Sequence, residues 1–556
     1  MKSKVVKLIT DVFKKTKLLT FLLVIVIIGT ISLSLVTPQV LKYIIDDYLI
    51  VGKNKDLLIP AFIYFISIAL VGVFNFAKEG FITIFGQKII RRIREEMMNK
   101  LEKIPIEYLS LNDSGSIVSR FSNDVEVVGG LFTNGIISMA VDVFKIIGIV
   151  FSIWMFSYKL GILVIGIIPI IYFLTRTFQR KMLSEQKTCR ILTAKVNNHI
   201  PDSINNIQMI KSFSKEEYME AKYIDYLNES YEVMDKINFY DSIFSPIILI
   251  IRSIVVAIVV ILSSDSLDVL GISIGSVAAS IELITNIFSP IEKLGMELQS
   301  IQQSIAGIYR IDEFLEEKEE TKKNFTLTCD KILKDRSNID IEFKNVYFSY
   351  GESKEILKDI SITIKHKENI TFTGRTGVGK STIFKLILGL LEPEKGTITL
   401  GGINVSEIPN NQKRKIFGYV EQSFSFIKGS VYDQISLGDK NINRKEIESA
   451  IKFVGLHDYV INLDRGYKTL VMPYLFSQGQ CQLLSIARAI VTNPPIMLLD
   501  EMTANLDSET EEKIIYVLKN VSNERTVLCI SHRLSSKLTS DKVITLKDSR
   551  IIVDEK

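Results

Sequence analysis

Apolar runs long enough to cross a bilayer are confined to the first half of this chain, and no other feature narrows its fold as much. A helix needs about 20 mostly apolar residues to cover ~30 Å of hydrocarbon. Residues 18–36, 57–77, 131–157, 160–174, 243–264 and 270–290 meet or approach that length, the fourth run being the shortest. Backbone polar groups in lipid must be satisfied within their own segment, so six such runs predict six membrane-spanning α-helices.

Lys2, Lys4, Lys7, Lys14, Lys15 and Lys17 precede the first span, which predicts a cytoplasmic N-terminus. Alternation then puts Arg91, Arg92, Arg94, Arg176 and Arg180 inside and Asp46, Asp47, Asp265 and Asp268 outside, in agreement with the basic bias. The first run is too long for a cleavable signal, and no small-residue cleavage site follows it. Residues 5–13 (Val5, Val6, Leu8, Ile9, Val12, Phe13) have an amphipathic spacing that predicts a helix lying flat at the membrane surface. Connections 78–130 and 175–241 are long and helix-patterned. A run of ~25 helical residues reaches ~37 Å, so spans two to five are expected to continue into the cytosol as arms. Asn112-Asp113-Ser114-Gly115 and Asn205-Asn206 mark the tips of those arms.

Composition excludes several classes. Of 556 residues, 47% are hydrophobic and 23% charged, too apolar for disorder and too charged for a wholly buried membrane protein. Lys+Arg 67 against Asp+Glu 63 leaves +4, which argues against nucleic acid as a partner. Cys189, Cys329, Cys481 and Cys529 form no short-spaced pair, so a disulfide scaffold and a zinc ribbon are both excluded.

The membrane part is assigned to residues 1–318, a charged linker to 319–340 and a soluble domain to 341–556, where strand and helix patterns alternate as in α/β folds. Residues 371–374 end a strand, and Gly374-Arg375-Thr376-Gly377-Val378-Gly379-Lys380-Ser381 leads into a helix beginning at Thr382. This is G-x4-G-K-S in the strand–loop–helix setting that a phosphate-binding loop requires. Its glycines let backbone N–H groups converge on phosphate oxygens at the positive end of the following helix. Lys380 supplies a cation for the β- and γ-phosphates, and the Ser381 hydroxyl suits Mg2+. Further on, Ile496-Met497-Leu498-Leu499 reads as a buried parallel strand ending in Asp500-Glu501. Asp500 is placed to hold Mg2+ or its water, and Glu501 to polarise an attacking water.

These residues resemble an ATP-binding cassette (ABC) transporter, and the resemblance covers essentially the whole chain. Phe476-Ser477-Gln478-Gly479-Gln480 resembles the family's L-S-G-G-Q signature. Tyr350 resembles the residue that stacks on adenine, Gln422 the one linking Mg2+ to the membrane domain, and Asp507 and His532 the family's motif residues that follow. Residues 115–124, 205–213 and 307–315 resemble the two cytoplasmic arms and the end of the sixth span in the exporter branch. The resemblance implies an all-α transmembrane bundle followed by an α/β P-loop ATPase domain, together making a half-transporter. ATP would sit between one chain's phosphate loop and the partner's Ser477, Gly479 and Gln480. Glu501 would act as general base, His532 would orient the γ-phosphate and water, and Lys380 would stabilise transferred charge. Export is the expected direction; import of a metal chelate on the same fold, or a regulatory half that binds ATP, are the alternatives.

Several positions depart from the family pattern. Gln478 replaces a glycine, Cys481 replaces an arginine, and residues 470–475 are shorter and uncharged where a Gly-Glu-Arg-Gly run is usual. Pro201 in the second arm predicts a kink. Such differences favour a heterodimer over a homodimer. Ionisable residues inside spans are costly and should face the bundle interior. Asp142 and Lys145, three residues apart, are expected to neutralise each other. Arg252 and Glu282 have no opposite charge one turn away on their own helices and are expected to line a cavity for zwitterionic or peptide-like cargo.

Overall fold

The computed structural model describes residues 3–51, 57–264, 273–319, 339–351, 355–472, 474–501, 508–522, 524–530 and 540–555. Most of the charged linker, together with Asp265, Asp268, Asp507 and His532, lies outside the described residues. The chain divides into two compact units, Met1–Glu102 with Asp113–Glu317 and Lys103–Asn112 with Lys318–Lys556.

The regular elements of the first unit are all helices among its described residues. Six helices are long and apolar enough to cross a membrane: Lys17–Leu49, Leu58–Leu101, Ser114–Phe156, Tyr158–Asn205, Glu216–Ile261 and Ile274–Glu316. The fourth is 48 residues long, about 72 Å at 1.5 Å per residue, more than twice what a bilayer's hydrocarbon needs. Large side chains such as Leu18, Phe62, Phe65 and Phe76 point outward, as suits helices whose solvent is lipid. The third to sixth span helices bury a shared seam of Ile149, Ile153, Leu160, Val164, Val255, Val259, Leu283, Ile287 and Phe288. The third and fourth are joined at Ser157, the single extended residue between them. Close approach there needs Gly161, since a Cβ would stand 2.8 Å from the Trp154 ring.

Two wider, π-type turns, Arg120–Asp124 and Leu131–Gly135, interrupt the third span helix. The first of them puts Asp124 against Arg310 of the sixth, which grips it with Nε at 2.9 Å and Nη2 at 2.5 Å. Ser304 adds a hydrogen bond of 2.7 Å to the Val127 carbonyl, and Phe121 packs edge-on against Phe314. At the opposite end of the sixth span helix, Asp46 accepts from the Ser273 hydroxyl at 2.5 Å and the Gly275 N–H at 2.8 Å. Pro201 lies within the fourth helix, which ends four residues later at Asn205; Asn206 then separates it from a short helix, Ile207–Ser212.

The amphipathic N-terminal segment is a helix, Lys4–Lys15, but its apolar face is not offered to lipid. Val5, Leu8, Ile9 and Val12 are buried against the span helices, and the Phe13 ring lies 4.3 Å from Phe85 and 6.1 Å from Phe132. Val5 N–H donates to Asp312 at 2.9 Å and Lys4 to the Leu315 carbonyl at 2.7 Å. Amphipathic spacing tells that one face of a helix is covered, but not what covers it.

The second unit carries two sheets. β1 (Ile341–Phe348), β2 (Leu357–Ile364), β4 (Lys395–Leu400) and β5 (Ile403–Asn404) form an antiparallel sheet in the order β2-β1-β4-β5. β3 (Asn369–Gly374), β6 (Phe417–Val420), β7 (Ile496–Asp500), β8 (Thr526–Ile530), β9 (Lys542–Lys547) and β10 (Arg550–Glu555) form the other, in the order β10-β9-β3-β8-β7-β6. Its strands are parallel except for the β9–β10 hairpin. β7 and β8 are buried at every position, the pattern of strands covered on both faces. A parallel sheet gathers its loops at the carboxyl ends of its strands, and that edge carries the site.

The short helix Ile106–Leu111 belongs to this second unit although it lies between the second and third spans in sequence. Ile106 packs on the core of β1–β4, and Glu107 accepts from the Gly351 N–H at 3.3 Å.

Candidate active site

β3 ends at Gly374, and the chain turns through Gly374, Gly377 and Gly379, with φ of 142°, 82° and 107°. Those values lie in the region that L side chains avoid. At Gly379 space also forbids a side chain, because a Cβ would meet Ile356 Cγ2 at 2.6 Å. Gly379 caps the helix Lys380–Ile387 with no side chain closing that end, so the first N–H groups remain open to the loop. Arg375, Thr376 and Gly377 form its exposed rim, Val378 is packed against the core, and Thr382 is buried. The geometry is a cradle of N–H donors at a helix N-terminus. Gly379→Val should lower the unfolding temperature and weaken nucleotide binding together. Backbone strain there costs ~1–3 kcal/mol and overpacking adds a comparable amount. Thermal unfolding with a nucleotide titration checks this, and an unchanged titration would show the loop tolerates the side chain.

Lys380 is 6% exposed and folds back over the loop, donating to the carbonyls of Gly374 at 2.8 Å and Arg375 at 3.1 Å. An ammonium has three N–H groups, so these two bonds hold Nζ inside the cradle without exhausting it. Ser381 Oγ lies 3.4 Å from Asp500 Oδ1, at the end of β7, and the Tyr419 hydroxyl lies 3.5 Å from Oδ2. Burial pushes the Asp500 carboxyl above the usual range and the Glu501 charge adds to it, while the Ser381 hydrogen bond opposes both. Burial beside Asp500 likewise pushes the Tyr419 hydroxyl up. Glu501 has φ of 41°, a strained conformation directly after the end of β7. Its Oε2 accepts from Gln422 Nε2 at 3.0 Å, and its N–H bonds the Ile530 carbonyl at 3.0 Å. Lys380, Ser381, Gln422, Asp500 and Glu501 are therefore brought together at one edge of the sheet.

A buried carboxylate and a hydroxyl 3.4 Å apart, both oxygen donors, fit a hard divalent cation completed by phosphate oxygens. No group of three His, Cys, Asp or Glu able to hold a metal occurs among the described residues, so such a cation would need its nucleotide.

Tyr350 packs edge-on against Phe348, centroids 5.0 Å apart, with its hydroxyl 3.4 Å from Thr382 Oγ1. The Glu107–Gly351 contact is next to it in sequence and was not foreseeable from local pattern.

Ser477, Gly479 and Gln480 open the helix Gln478–Ile490. Ser477 and Gln480 close a reciprocal cap, Ser477 N–H to Gln480 Oε1 at 2.9 Å and Gln480 N–H to Ser477 Oγ at 3.3 Å. The S-x-x-Q spacing announces that cap in the sequence. Gln482 Nε2 donates to the Gln422 carbonyl at 2.8 Å, tying this helix to the Gln422 loop. Cys481 is half-buried, with its thiol pushed up by burial. In the altered stretch before it, Val471 and Leu475 pack inward while Leu470, Met472 and Tyr474 stand exposed.

The intramembrane charges have partners that a single helix does not reveal. Glu292 of the sixth span helix faces Arg252, which lines a groove of about 420 Å3 with Ser253, Val256, Ala257, Val260, Ile261 and Thr285. Glu282 is not in that lining; one of its carboxyl oxygens is buried without a hydrogen-bond partner, near Tyr64. Asp142 interacts with Lys293 and Lys78 as well as Lys145, and hydrogen-bonds Glu297.

A P-loop ATPase fold behind six membrane helices defines the class: an ATP-driven membrane transporter. The profile of the ABC transporter transmembrane region matches residues 20–291, and that of the ABC transporter matches residues 357–504. The chain is 30% identical over 546 residues to the "Uncharacterized ABC transporter ATP-binding protein YknV" of Bacillus subtilis, covering 97% of this chain and 89% of that protein. It is 28% identical to an ATP-dependent lipid A-core flippase of Pseudomonas aeruginosa, covering 89% of this chain and 81% of the other. A solved bacterial Atm1-family ABC exporter with ATP bound shares the fold, with a TM-score of 0.77 at 22% identity over 96% of this chain and 94% of that one. The chain belongs to the ABC transporter family. It is an ATP-binding and ATP-hydrolysing, multi-pass membrane transporter of exporter type, and its half-transporter layout implies dimerisation.

Proposed function

We propose that this chain is one half of a dimeric exporter that moves an amphiphile bearing an anionic group out across a bacterial cytoplasmic membrane. The N-terminus and the ATPase domain lie in the cytosol, as the lysines before the first span favour. The convergence of Lys380, Ser381, Gln422, Asp500 and Glu501 on one sheet edge supports the ATPase roles. Lys380 and the loop N–H groups bind the phosphates, with Gly374, Arg375, Thr376, Gly377, Val378, Gly379 and Thr382 shaping the cradle. Ser381 and Asp500, with Gln422, hold Mg2+, which supplies charge neutralisation on the phosphates when bound. Glu501 takes the proton of the attacking water while Gln422 Nε2 fixes its carboxylate. Tyr350 carries the adenine; His532 is assigned to the γ-phosphate by its place after β8. Ser477, Gly479 and Gln480 complete the site of a partner half. The replacements at Gln478 and residues 470–475 favour a different half-transporter as that partner, since two unlike sites then coexist.

The Arg252 groove carries the cargo reading. It sets a guanidinium at one end of an apolar wall of Val256, Ala257, Val260 and Ile261, which suits an anionic headgroup on a hydrocarbon body. One of the relatives is an ATP-dependent lipid A-core flippase, which supports a lipid as the cargo. Glu282, outside that groove, is kept as a second candidate for contact with cargo. Arg252→Gln should reduce transport of an anionic fluorescent lipid in proteoliposomes about tenfold or more, losing one charge-assisted contact of ~1.5–3 kcal/mol, and leave a cationic analogue unaffected. Equal effects on both lipids would sink the assignment.

A further inference from the structure

We propose that Asp142 and Glu297 form a proton-binding site between the third and sixth span helices, with a single proton as its ligand. Glu297 is 5% exposed, and its Oε2 is sealed from solvent with no hydrogen-bond partner. The polar group that meets its side chain is itself a carboxyl, that of Asp142. Ionised carboxylates only accept hydrogen bonds, so two facing each other repel and satisfy nothing. One proton held by Glu297 and donated to Asp142 removes both problems at once. A buried acceptor left without a donor is otherwise costly.

The surroundings decide which ligand fits. Lys78 of the second span helix, Lys145 of the third and Lys293 of the sixth face the pair. Lys78 Nζ lies 3.2 Å from Glu79, and Lys293 also faces Glu292, which Arg252 of the fifth span helix faces in turn. From the fourth, Gln179 donates to the Glu292 carbonyl at 3.0 Å. Three ammonium groups around the pair repel a metal ion or a cationic cargo, which leaves the proton. Lys78 immediately follows apolar residues 57–77, and Glu297 follows 270–290, so these two residues stand at the ends of their apolar runs. With the proton present the third and sixth helices are bridged; without it, two carboxylates push them apart. Proton occupancy thus favours the packed arrangement of these two helices, independently of nucleotide.

Infrared spectra of the full-length chain in lipid nanodiscs, recorded from about pH 5 to 9 to bracket ordinary and shifted carboxyl groups, test this. The wild type should show a protonated-carboxyl C=O band at neutral pH that shifts in D2O. Glu297→Gln should lose it, and so should Asp142→Asn, whose amide becomes the donor and frees Glu297 to ionise. Glu217→Gln, at an exposed carboxylate, should keep it. Absence of the band in the wild type at neutral pH, or its survival in both Glu297→Gln and Asp142→Asn, would overturn the site. The band needs neither ATP nor cargo, so its failure is separate from any failure of the transport reading.

Discussion

Lys380→Ala loses ATP binding, whereas Glu501→Gln binds ATP and no longer turns it over. The two residues stand at the same sheet edge but do different work. Lys380 is held inside the loop by the Gly374 and Arg375 carbonyls, and its removal leaves the cradle without its fixed cation. Charge-assisted contacts contribute ~1.5–3 kcal/mol each, so affinity should fall at least tenfold to a hundredfold. Glu501 touches no part of the cradle; it is fixed by Gln422 at 3.0 Å and by its own strained backbone. Replacing its carboxylate by an amide of the same shape removes the proton acceptor, which lowers turnover ~10²–10⁴-fold. Nucleotide titration and phosphate release on both variants check the pair. Wild-type turnover in Glu501→Gln, where this phosphate loop is the active one, would remove Glu501 from the base role.

An equally large effect is expected from joining two chains. If Ser477 completes another chain's site, cysteines placed near Ser381 and near Ser477, both serines kept and Cys481 replaced by Ser, should crosslink between chains in the presence of ATP and Mg2+. Without nucleotide the yield should drop to background. The mass of the product then reports whether the second chain is a copy or a different half-transporter. A product formed only within one chain, in an ATPase-active preparation, would refute the shared site.

The phosphate loop was legible because its chemistry is written in consecutive residues: glycines at fixed spacing, then Lys380 and Ser381 at a helix start. The same holds for the span helices, whose apolar length is a local property. What escaped is relational. Asp142 and Lys145 look like a neutral pair on one helix, yet Asp142 hydrogen-bonds Glu297, 155 positions later, on another. Arg252 looks unpaired on its own helix and is faced by Glu292 across the seam. The N-terminal amphipathic helix has the pattern expected of a lipid-facing segment, and contacts such as those with Phe85 and Phe132 show that protein covers it. The antiparallel sheet beside the parallel one was also invisible, because alternation of strand and helix says nothing of which strands pair. The Ser477–Gln480 cap, in contrast, was present in the sequence and is readable from spacing alone.

The ten residues Lys103–Asn112 have a consequence for how this chain can be taken apart. They are compact with Lys318–Lys556, whereas the residues on either side of them are compact with Asp113–Glu317. The backbone therefore passes between the two bodies three times, after Glu102, after Asn112 and after Glu317. A single cut cannot separate such a chain into two complete folding units. A fragment starting after residue 318 would be missing the Ile106 side chain from its core and the Glu107 carboxylate from Gly351, and a fragment ending there would carry an orphaned loop. Synthesis runs in the same order: the ATPase domain receives part of its own packing more than two hundred residues before its first strand, β1, is made. The early segment must stay unburied until that strand exists, so the second unit cannot finish folding from its late residues alone.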